Sequence, residues 1–143
     1  VSDDDDDPAP VTFFVSGLAE TKGSWIPIAA GRLKPDNARE KPWAVTVGWW
    51  ARMAMRGRRI LFVRVHVELY VTLPVPPNKT KKHKRDGDKL ARSCLDAMSG
   101  IVYVDDELVD GIVVHKRTHP DPKTHGVRIV VTKHVCPDAA RFL

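Results

Sequence analysis

Cysteine is scarce in this chain. Cys94 and Cys136 are the only two among 143 residues, too few for a disulfide-stapled secreted scaffold and suited to a reducing compartment. Long hydrophobic runs are absent as well: no stretch approaches the ~20 apolar residues of a membrane helix, so no membrane partner is expected. The first residues are acidic and carry no apolar h-region, which argues against a signal peptide and for a cytoplasmic location. No internal repeat exists, which excludes a solenoid or propeller. His115, His119, His125, His134 and Cys136 offer nitrogen and sulfur ligands, but their spacing lacks the tight pairing of a zinc finger.

What is present is charge of one sign. The formal net charge is +5, and five of the 18 acids fall in Asp3–Asp7; the 23 basic residues therefore face 13 acids over residues 8–143, an excess of +10. Such an excess attracts a polyanion and makes binding fall with salt. Residues 1–10, VSDDDDDPAP, read as a disordered acidic tail. A chain of this length, with 43% hydrophobic residues, suits one domain with its own core, expected over residues 11–135 with a C-terminal tail at 136–143.

Val11–Val15 reads as a first strand, followed by a loop running through Lys22-Gly23-Ser24 to Asn37. Pro42 opens a helical pattern with Trp43, Val47, Trp50 and Ala54 on one face and Gly57 as its stop; Trp49 lies off that face and is expected to be exposed. Residues 60–73 alternate strictly and predict a long half-buried strand, with Val65, Val67, Leu69 and Val71 facing one way and His66, Glu68, Tyr70 and Thr72 the other. Pro74, Pro76 and Pro77 end it and lead into a basic run. A helix is expected over Lys89–Met98, with Leu90, Cys94, Leu95 and Met98 inward. Ile101–Val104 and Leu108–His115 then read as two strands of a hairpin, and Val127–Thr132 as the last strand. Strands before and after helices in one small mixed sheet give an α+β class, with two main helices packed on the sheet in a single domain.

The chemistry concentrates in two aspartate pairs. Asp86 and Asp88 flank Gly87 at the start of the second helix, and Asp105 and Asp106 follow it. Clustered carboxylates repel unless a cation holds them, and carboxylate oxygens suit a hard ion such as Mg²⁺. Residues two apart in an extended approach point to one side, so Asp86 and Asp88 could share a ligand, with Asp88 at the N-cap. A hairpin after the helix could return Asp105 and Asp106 to the helix N-terminus, where the dipole favours anions. Lys79, Lys81, Lys82, Lys84 and Arg85 lie just upstream and suit backbone phosphates. Each element also has an ordinary reading: a cap, a turn, a polar loop, a solvated basic run, and an Arg92–Asp96 surface ion pair.

The run D-x-D-K-L-x-R-x-x-x-D-A-M-x-G-x-x-Y-x-D-D-x-x-V, continuing to Lys116, resembles the core motif of RusA-like Holliday-junction resolvases. The resemblance is good over residues 60–132 and weaker over the first strand and the Gly17…Lys22-Gly23-Ser24 segment. It implies a small homodimeric endonuclease of bacteria or phages, dependent on Mg²⁺ (with Mn²⁺ as a substitute). Its implied partner is branched DNA, with no small-molecule substrate. It implies metal-bound catalytic roles for Asp86, Asp88 and Asp106, with Asp105 as their acidic neighbour. Lys22, Lys89 and Lys116, with the basic run, would contact DNA. Arg92 stands where the family usually has a lysine. Arginine keeps the charge, yet its guanidinium does not donate a proton at working pH, which favours charge stabilisation over general-acid chemistry. A non-catalytic branched-DNA-binding protein with a structural metal is the alternative, and Arg92 is the feature that favours it.

Overall fold

The structure, a computed structural model, describes residues 8–21, 25–29, 32–35, 40–77 and 86–143. Its elements are strands β1 (Val11–Ser16), β2 (Trp25–Ala29) and β3 (Arg32–Pro35), helix α1 (Glu40–Ala54), β4 (Val65–Leu73), helix α2 (Gly87–Met98), β5 (Val109–Thr118) and β6 (Gly126–Lys133). A four-stranded mixed sheet has the order β1-β6-β4-β5, in which β6 runs antiparallel to both neighbours and β5 runs parallel to β4. β4 and β5 are joined through α2, the crossover that a parallel pair requires. The α+β single domain expected from the pattern is what the chain forms.

One face of the sheet is covered. Val65, Val67, Leu69, Val71 and Leu73 of β4 are all buried, as are Val127, Ile129 and Val131 of β6 and Val11, Phe13 and Val15 of β1. They join a single core with Trp43, Val47 and Ala51 of α1 and Leu90, Cys94, Leu95 and Met98 of α2. Trp49 is 52% exposed and meets Trp50 edge-on at 4.8 Å, so the tryptophan assignments hold. Burial pushes the Cys94 thiol up to about 12, as for a small hydrophobe in an apolar wall. Among the described residues no helix is long and apolar enough to cross a membrane.

Three expectations are corrected. The segment between the first strand and α1 is not all loop, because β2 and β3 pair antiparallel as a separate two-stranded sheet. The strand expected over residues 60–73 begins only at Val65. Upstream of it, Leu61 leaves the sheet and exchanges backbone hydrogen bonds with the chain after α2: its N–H donates to the Val102 carbonyl (2.9 Å) and its carbonyl accepts from Val104 (3.1 Å). That exchange also removes the expected hairpin. Residues 101–104 form a turn with isolated bridges at Tyr103, and β5 pairs with β4 instead. Apolar tetrads such as Ile101–Val104 satisfy strand or turn equally until a partner is chosen.

Candidate active site

α2 begins one step before the expected cap. Asp86, extended at φ −71° and ψ 141°, is the N-cap, and its carboxylate makes no capping hydrogen bond. Its carbonyl accepts from Leu90 N–H at 3.0 Å. Asp88 is therefore not the cap but an acid of the first turn, where the helix dipole favours it. The two do not alternate along a strand, because Gly87 already belongs to the helix. Gly87 packs closely on β5: a Cβ there would lie 3.8 Å from Val114. Asp88, Arg92 and Asp96 form an exposed stripe along α2 opposite its buried face, and Lys89 is half-buried beside it.

The second acidic pair is fixed by the turn that replaces the hairpin. Tyr103 is fully buried and donates its hydroxyl to the Leu95 carbonyl near the end of α2 (2.7 Å). Asp105 then caps a short 3₁₀ turn over Asp106–Leu108, its Oδ1 accepting from Glu107 N–H at 3.0 Å. This delivers Asp106 to the C-terminal half of α2, against Asp96, and not to the helix N-terminus. The pair share a hydrogen bond. Asp106 is held above the usual carboxylate range, first by that bond to Asp105 and further by burial, by the charges of Asp105 and Asp96 and by a hydrogen bond to Asp96. Asp105 is held below it, first by the Glu107 N–H and then by Asp106. Two carboxylates this close repel each other, and a cation between them would relieve that repulsion.

The sequence reading confined Asp96 to a surface pair with Arg92; the fold adds it to the Asp105–Asp106 contact. The signal was present in the stripe at four-residue spacing but had an ordinary explanation. Eight residues, about 12 Å of helix rise, separate Asp96 from Asp88. Accordingly, among the described residues no group of three or more His, Cys, Asp or Glu side chains is close enough together to hold a metal ion. The donors fit a hard cation by their chemistry, all carboxylate oxygens with two already crowded, but they are not gathered. The histidines weighed as zinc ligands have other contacts: His115 stacks on Tyr70, His134 on His66, and His125 Nε2 lies 2.8 Å from the His119 carbonyl.

Lys116 is exposed on the edge strand β5 in register with the buried Val71, at the border of a cleft on the open face of the sheet that Arg117 and Arg128 line, two cations the sequence reading did not single out. Lys22, Lys79, Lys81, Lys82, Lys84 and Arg85 lie outside the described residues.

A family model described as endodeoxyribonuclease RusA matches residues 29–132, a span that contains both aspartate pairs, α2, the whole of β3, β4 and β5, and all of β6 but its last residue. No curated protein matches the chain.

Proposed function

Because the chain belongs to the RusA family of endodeoxyribonucleases, which act on Holliday junctions, we propose that it is a divalent-cation-dependent nuclease that resolves branched DNA by paired nicks. The observation that carries this reading is the Asp105–Asp106 contact within the family-matched span. It is a crowded carboxylate pair, next to Asp96 and near the C-terminal end of the helix that bears Asp86 and Asp88.

Asp86, Asp88 and Asp106 would hold the ion, with Asp105 beside them, and Mg²⁺ is the hard cation that such a donor set prefers, with Mn²⁺ able to replace it. When bound, the ion supplies Lewis-acid polarisation of the phosphate and a lowered pKa for water. Binding has to draw the two pairs together, and ligand gathering is a normal part of metal affinity. The protein's own contribution is positioning and charge. Arg92 lies between Asp88 and Asp96 on the exposed stripe, where its planar fork can accept a phosphate and stabilise negative charge on the non-bridging oxygens. Lys89 adds a point charge at the helix N-terminus, an end whose backbone N–H groups also favour an anion. Lys22, Lys116 and the basic run at residues 79–85 would hold flanking backbone phosphates. A four-way junction has two-fold symmetry, so a C₂ homodimer would place two sites for the two cuts.

A second reading is a branched-DNA-binding protein that does not cut. Arg92 in place of a lysine favours it, as do aspartates not gathered into one cluster. The two readings separate on Asp88→Asn and Asp106→Asn. Each is expected to lower junction nicking in Mg²⁺ at least a hundredfold while leaving the junction Kd within about threefold. If both variants cut at the wild-type rate, the assignment of these carboxylates is wrong.

A further inference from the structure

The face of the sheet turned away from the helices carries a row of side chains in strand register. Phe14 of β1 is opposite Arg128 of β6, Arg128 is opposite Tyr70 of β4, and Tyr70 is opposite His115 of β5. Residues in register on adjacent strands project from the same face, so one line, roughly 14 Å long at normal strand spacing, reads aromatic, cation, aromatic, imidazole. Tyr70 and His115 stack at 4.9 Å with their planes 14° apart, and Tyr70 remains 41% exposed.

The neighbouring row completes a cleft. Gly126 sits between Ser16 and Thr72 and has no side chain, so the Phe14 ring lies over it: a Cβ there would come within 2.6 Å of that ring. Thr72 accepts a hydrogen bond from Arg117 Nε (2.9 Å), which braces that guanidinium at the rim. The cleft holds about 300 Å³, and among its lining residues are Lys116, Arg117 and Arg128 but no acid. Glu68, one row away, is occupied by the Tyr70 hydroxyl and by His66 at 3.4 Å.

We infer that this row is a binding site for an unstacked nucleotide of single-stranded DNA, with a base on the Tyr70–His115 platform and its phosphate on Arg128 and Arg117. Aromatic faces accept any base, and cations at the rim track the backbone. A second copy of this chain is the competing occupant. An isologous contact across this row would bring the arginines of the two copies together with no acid in the cleft to offset them, whereas a polyanion neutralises both Arg117 and Arg128. The location suits a branched substrate. β5 is an edge strand, with Gly87, the residue between Asp86 and Asp88, against Val114 on the helix side and His115, the next residue, on the open side. A strand leaving the acidic site over that edge meets the platform on the opposite face of the same β-strand.

The assignment deepens the nuclease reading in its choice of DNA, yet it can be tested without cutting. The full chain is irradiated with a single-stranded oligonucleotide carrying 5-iodouracil, and crosslinked peptides are mapped by mass spectrometry. In parallel, the affinity for a labelled oligothymidylate is read by fluorescence anisotropy. Crosslinks are expected at Tyr70 or His115. Tyr70→Ala should weaken oligonucleotide binding about tenfold, the loss of one base stack; Tyr70→Phe should restore it; Arg128→Ala should weaken it and flatten its salt dependence. Wild-type affinity in Tyr70→Ala, or crosslinks confined to other surfaces, would overturn the inference. So would a Tyr70→Ala variant that changes oligomeric state by light scattering while binding the oligonucleotide normally, since the face would then be a contact between copies. Crosslinking at Tyr70 without any junction cutting sinks the nuclease and keeps the platform; cutting without crosslinking does the reverse.

Discussion

Tyr70 donates its hydroxyl to Glu68 on the open side of β4, and each partner's titration is displaced by the other. Glu68 is held below its ordinary value, first by that hydroxyl and then, against a smaller opposing effect of burial, by His66. Tyr70 is held above the usual phenol value, first by Glu68 and then by burial. The carboxylate's contribution is present above the normal glutamate pKa and lost as pH falls through the depressed one. The phenol's is present below about pH 10 and lost as pH rises through the raised one. The contact therefore holds between the carboxylate and phenol ranges. Tyr103, the only other tyrosine, is also pushed up, mainly by burial and further by the charges of Asp106, Cys94 and Asp96. A native titration followed at 295 nm should therefore show less tyrosinate at pH 10 than the half-ionisation of free phenols. Glu68→Gln should bring one of the two tyrosines down. Half-ionisation of both in the wild type at pH 10 would contradict the contacts described for each.

At the scale of elements, the placement of the second acidic pair depends on one turn. Tyr103 ties that turn to α2 through the Leu95 carbonyl, which also accepts from Ser99 N–H at 3.1 Å. Tyr103→Phe keeps the ring and should cost about 1 kcal/mol of stability in urea unfolding, the worth of one buried hydrogen bond. No measurable change would mean the hydroxyl does not anchor the turn. The α2 stripe and the alternation of β4 were legible in the sequence, because periods of 3.6 and 2 are local properties. The path from Ile101 to Val104 was not, because those residues fit a strand or a turn and only Leu61, forty residues upstream, decides between them. Hence both aspartate pairs could be named, but the second was assigned to the wrong end of the helix, and Asp96 was separated from it. The Phe14–Arg128–Tyr70–His115 row was illegible for a related reason: cross-strand register is a choice of partners, made here between strands as distant in sequence as β1 and β6.

The whole molecule is a basic α+β domain with two different faces. The helix face carries the exposed Asp88–Arg92–Asp96 stripe and the Asp105–Asp106 pair; the open sheet face carries the aromatic and cationic row. Both meet at the edge strand β5, and a basic excess over residues 8–143 favours a polyanion against either. The central claim is that this arrangement cuts branched DNA with the help of a divalent cation. It is tested most directly by incubating the full chain with a four-way junction labelled in turn on each strand, in Mg²⁺ and in EDTA, and resolving the products on a denaturing gel. The expected result is a pair of symmetric nicks on opposing strands in Mg²⁺, none in EDTA, and little cutting of linear duplex. A junction that is bound and remains intact in Mg²⁺ and in Mn²⁺ would contradict the claim and leave a DNA-binding protein without nuclease activity.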